Sequence, residues 1–74
     1  MPTIKDFGGF RVCMYFEDHG TPHFHVVGPE FGAKVAIGDL TILAGHLPRR
    51  AREALEWAEG NRARLLELWM EYSG

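Results

Sequence analysis

The sequence predicts an α+β fold: an antiparallel meander of three to four strands packed against a long or kinked C-terminal helix. Three observations carry this. Up to about residue 44 the chain is rich in glycine and in β-branched and aromatic residues, and its polarity alternates with a period of two. From Pro48 onward Ala, Leu, Glu and Arg dominate, and the apolar positions recur with a helical period. The links between candidate strands are short, which favours antiparallel neighbours. A chain of 74 residues suits one domain, 1–74, with the sheet over about 9–44 and the helix over about 48–73.

The first predicted strand is "FRVCMYFE", residues 10–17. Phe10, Val12, Met14 and Phe16 share one face, and Arg11, Cys13, Tyr15 and Glu17 share the other. "DHGTP" supplies turn chemistry, and a second strand begins near His23. In "HFHVVG" Phe24 and Val26 continue the apolar face, while His23, His25 and Val27 continue the other. "PEFG" reads as a hairpin link, and "AKVAI" (33–37) as a third strand with Ala33, Val35 and Ile37 inward. "LTIL" (40–43) follows the turn signal Gly38–Asp39 and suits a short fourth strand.

Pro48 fits the first turn of a helix, where a missing N–H costs nothing. Leu47, Ala51, Ala54, Leu55, Ala58, Leu65, Leu68 or Trp69, and Tyr72 then form an apolar stripe that crosses Gly60 in register. That continuity favours one long or slightly kinked helix, with Gly60 costing ~1 kcal/mol against alanine. The other solution is two helices broken at Gly60–Asn61. Trp57, Leu66 and Met70 fall partly outside the stripe and ask for a second cover, either a partner or the helix of another copy in a homodimer.

A domain this small buries about 60% of its unfolded surface. Its single cysteine, Cys13, excludes an internal disulfide and is compatible with the cytoplasm. No run approaches the ~20 apolar residues of a membrane helix, and "MPTIKDFGGF" has no apolar run of signal-peptide length. The formal net charge of −2 does not by itself announce nucleic acid.

The chemistry-bearing residues gather on the sheet face away from the helix. That face would carry Arg11 and Tyr15, then His23 and His25, then Lys34. Strands lie about 4.8 Å apart, so these side chains can converge. Three readings fit them. In the first, His23 and His25 act as acid and base, Tyr15 orients, and Arg11 and Lys34 contact phosphate, as in a metal-independent endoribonuclease. In the second, His19, His23 and His25 hold a divalent metal such as zinc, with Glu17 as an alternative third ligand. In the third, these are polar residues on a solvated face. Arg49 and Arg50 open the helix, where positive charge opposes the dipole, and this points them at an external anion, a nucleic acid or an acidic partner.

The stretches "MPTI", "MYFEDHGTPHFHV" and "LPRRAREALEWAEGNRARLLELW" together resemble the bacterial family called domain of unknown function 4160, over nearly the whole chain. The chain departs from that pattern at Gly60–Asn61 and at Gly20–Thr21, and keeps His23 and His25. Members of the family are often encoded beside a small protein of domain of unknown function 2442. That pairing resembles a type II toxin–antitoxin module. The resemblance thus implies a small cytoplasmic protein that binds a cognate partner, and it assigns no catalytic residue. Two functional expectations follow: a module component that binds or acts on RNA through the histidine face, or a non-enzymatic antitoxin or regulator that uses Arg49 and Arg50 on DNA and its partner.

Overall fold

The computed structural model describes residues 3–15 and 19–73. Five strands form one antiparallel sheet in sequence order: β1 (Thr3–Asp6), β2 (Arg11–Cys13), β3 (His23–Gly28), β4 (Phe31–Ala36) and β5 (Ile42–Gly45). A 3-10 turn (Arg49–Ala51) leads into α1 (Glu53–Glu59) and α2 (Arg62–Ser73). The α+β meander expected from the sequence is therefore present, with one more strand and one more helix.

The extra strand is β1. It pairs with β2 through Lys5↔Val12 and Asp6↔Arg11, with a register shift between Thr3 and Lys5. Its four residues are mostly exposed, so its sequence carries little of the alternation that marks a half-buried strand. The expected first strand is shorter than 10–17: β2 ends at Cys13, and Met14 and Tyr15 leave the ladder. Phe16, Glu17 and Asp18 lie outside the described residues. The third strand starts earlier than expected, at Phe31, because Pro29–Glu30 alone make the turn and Gly28 pairs with Phe31. The fourth expected strand, 40–43, slides to Ile42–Gly45. Leu40 takes a left-handed φ of 61° and belongs to the turn, where its N–H donates to the Ala36 carbonyl at 2.9 Å.

The inward face holds for its described members. Phe10, Val12, Met14, Phe24, Val26, Ala33, Val35 and Ile37 are all buried in one cluster with Leu47, Ala51, Ala54, Ala58, Leu65, Leu68 and Trp69. Alternation selected the strand members because a pleated strand puts every second side chain inward. Each large buried side chain contributes about 1.5–3 kcal/mol, which matters for a chain with so little interior.

The expectation of one continuous helix is corrected. α1 stops at Glu59, and Gly60 and Asn61 separate it from α2. The Asn61 side-chain amide donates to the Trp57 carbonyl at 2.8 Å, and the Asn61 N–H donates to the Ala58 carbonyl at 3.0 Å. These bonds satisfy carbonyls that the helix end would leave open. The break leaves the apolar stripe intact, which is why periodicity alone did not reveal it.

Candidate functional site

The second sheet face is built by the same alternation. Cys13 sits across from His25, His25 across from Lys34, and Arg11 across from Val27. Tyr15, just beyond β2, sets its ring edge against His25 with centroids 4.4 Å apart. Tyr15, His25, Val27 and Lys34 line a cavity of about 420 Å³ together with residues of β4 and β5. Tyr15 is 39% exposed, and His25 and Lys34 are half-buried. The face therefore offers an aromatic edge, an imidazole and an ammonium around one hollow.

His23 does not belong to that open surface, and its expected role as a solvent-facing acid or base is corrected. It is 1% exposed. The Trp69 ring of α2 lies 4.7 Å from it, and the His25 ring lies 5.1 Å away. Its Nδ1 is 2.7 Å from the Thr21 carbonyl oxygen, which can only accept, so Nδ1 carries the proton. The cause is α2. Its Leu66 lines a hollow with Pro22 and Ala36, and its Trp69 packs on the buried His23 ring. Strand alternation has no means of anticipating a contact that comes from α2.

The remaining basic residues divide. Arg11 is half-buried and lines a neighbouring hollow of about 400 Å³ with Asp6, Gly8, Gly9 and Pro29. Val27 borders this hollow and the His25 hollow, so Arg11 and Lys34 flank one continuous strip. Arg50 lies over the Phe31 ring at 5.4 Å. Phe31 packs on the core, so Arg50 belongs to the helix side of the sheet, away from Lys34. Arg49 is exposed in the same turn.

No group of three His, Cys, Asp or Glu side chains among the described residues is close enough to hold a metal. The trio His19, His23 and His25 is thus not gathered as a ligand set. His19 is exposed in the turn and His23 is packed under Trp69. Glu17, the alternative third ligand, lies outside the described residues. Cys13 is buried, and that burial raises its thiol pKa above 9.0 against the opposing field of Arg11. It is a packed neutral thiol rather than a nucleophile.

No helix among the described residues is long and apolar enough to cross a membrane. Neither the curated proteins nor the solved structures include a match to the chain. A family described as Domain of unknown function (DUF4160) matches residues 9–70. The match runs from just before β2 to within α2, and it takes in the Tyr15–His25–Lys34 face, the covering Trp69 and the Gly60–Asn61 break. The chain belongs to this family, domain of unknown function 4160.

Proposed function

We propose that the protein is a component of a type II toxin–antitoxin-like module, one that binds a small cognate protein and contacts RNA through the Tyr15–His25–Lys34 face. The observation that supports this reading best is the contact of Tyr15 with His25 beside Lys34, around a hollow open to solvent. Unpaired RNA bases stack on aromatic and histidine rings, and every base has a π-face. Lys34, and Arg11 across the Val27 strip, supply the cations that track phosphates.

With His23 closed under Trp69, the His25 imidazole is the one that meets the hollow. A relay of two solvent-facing histidines is therefore not part of the proposal, and RNA binding takes precedence over cleavage. Arg49 and Arg50, on the helix side of the sheet, are left for the cognate protein.

Anisotropy of a labelled single-stranded RNA, titrated with the purified protein at two salt concentrations, tests the reading. Binding should weaken with salt, and Lys34→Ala should lower both the affinity and the salt slope, the latter by about one phosphate contact. His25→Ala and Tyr15→Ala should each weaken binding while the fold is kept. Wild-type protein with no salt-dependent affinity for RNA would sink the proposal. Co-expression with the neighbouring small protein tests the module: growth inhibition by one member should be relieved by the other.

A further inference from the structure

We infer that strand β5 is a self-association edge, through which a second copy of this chain pairs antiparallel and extends the sheet.

Strand β5 ends the sheet, and among the described residues no strand lies beyond it. Its inner side is used by β4, through Val35↔Ile42, Lys34↔Ala44 and Ala33↔Gly45 with a register shift between Lys34 and Val35, and the His46 N–H extends the ladder to the Gly32 carbonyl at 3.0 Å. The outer side therefore presents backbone donors and acceptors that suit another strand.

Both edge pairings carry a register shift, and the two edges differ in charge. β1 carries Lys5 and Asp6, charges of the kind that blunt an edge. β5 reads Ile42-Leu43-Ala44-Gly45, with every residue exposed, no proline and no charge. Ile42 is 38% and Leu43 is 43% exposed. Leu43 also borders the hollow that contains Leu66, so the apolar surface continues from the edge onto α2.

The sequence around β5 selects its own copy as the occupant. From Leu40 to Pro48 there is no Asp, Glu, Lys or Arg, so an antiparallel self-pair meets no like-charge repulsion. A two-fold axis at Ala44, perpendicular to the sheet, sets Ala44 opposite Ala44 of the other copy and Leu43 opposite its Gly45. The same axis brings Asp39, ahead of one strand, towards Arg49, after the other. Arg62 also acts on Asp39, so this contact adds register rather than much affinity. The arrangement is isologous and closes as a dimer.

Sedimentation or light scattering of the purified chain tests this directly, followed by amide exchange at two protein concentrations. The expected particle has twice the 8.4 kDa mass, and amides of 42–45 should lose protection on dilution. Leu43→Lys, at an exposed position, should weaken association about tenfold or more, with an unchanged circular-dichroism spectrum. Met70→Lys, on the 71%-exposed helix position, should leave association unchanged. A wild-type monomer would overturn the inference. So would a dimer broken by Met70→Lys and not by Leu43→Lys, or protection of 42–45 that arises only when the neighbouring small protein is added. Should Leu43→Lys fail to fold, the concentration dependence of exchange in the wild type still decides.

Discussion

His23 and His25 stand two positions apart on one strand, and their surroundings divide their work. Alternation put both on the face opposite Phe24, and the register agrees, since His23 meets Ala36 and His25 meets Lys34. What separates them is Trp69, far along the chain, which closes over the first and leaves the second at the hollow. His23→Ala should therefore be a folding lesion. It removes a buried ring and its bond to the Thr21 carbonyl, and should cost about 2–4 kcal/mol in urea unfolding. His25→Ala should stay within about 1 kcal/mol of wild type in the same experiment and lose RNA affinity. Comparable destabilisation by the two would mean that His25 is also structural. The candidate face was thus legible residue by residue as far as strand geometry reaches. The fate of His23 was not, because it depends on a contact from α2.

At the scale of elements, the helix break and the β4–β5 turn show which local signals governed. Gly60 looked like the breaker, yet it has a right-handed φ of −79° and ψ of −5°. A Cβ there would meet the Trp57 carbonyl at an ordinary 3.7 Å. Asn61 carries the break through its side-chain bond to that carbonyl. Gly60→Ala should therefore stabilise the protein by about 0.4–1 kcal/mol through the unfolded state, and Asn61→Ala should cost about 1 kcal/mol, both read from denaturation midpoints. Gly45 is the contrasting glycine. Its φ is 80°, and a Cβ would run into the Gly32 carbonyl oxygen, so Gly45→Ala should be strongly destabilising. In the turn, the Asp39 carboxylate accepts the Thr41 N–H at 3.0 Å, and this bond holds its pKa below 3.8. A depressed folded pKa gives stability that is present above the unfolded value and is lost as pH falls through the folded one. Asp39→Ala should thus lower the melting temperature at neutral pH, and the gap should close below pH 3.8. A gap that persists in acid would assign the effect to something other than the carboxylate. The strands that bury one face were readable from period two. β1, exposed on most of its length, and the slide of β5 past Leu40 were not, because edge pairing leaves little apolar pattern.

At the scale of the whole molecule, the open face and the open edge make one joint prediction. A two-fold axis through a β5 pair runs perpendicular to the sheet, so both copies turn their Tyr15–His25–Lys34 faces to the same side. Five strand spacings separate β3 from its counterpart, which sets the two faces about 24 Å apart. Two sites held on one rigid sheet act on a common ligand by effective concentration. An RNA too short to span them should bind wild type and Leu43→Lys alike, since Leu43 is not among the residues around the His25 hollow. An RNA long enough to reach both should bind wild type about tenfold or more tightly than it binds Leu43→Lys, with the gain appearing at a threshold length. A length series in anisotropy, run on both proteins at fixed salt, reads this directly. Parallel length dependence in the two proteins would show that each face works alone, whatever the oligomer. A threshold present in the wild type and missing in Leu43→Lys would tie the edge to the face and make the extended sheet, rather than the single chain, the unit that RNA meets.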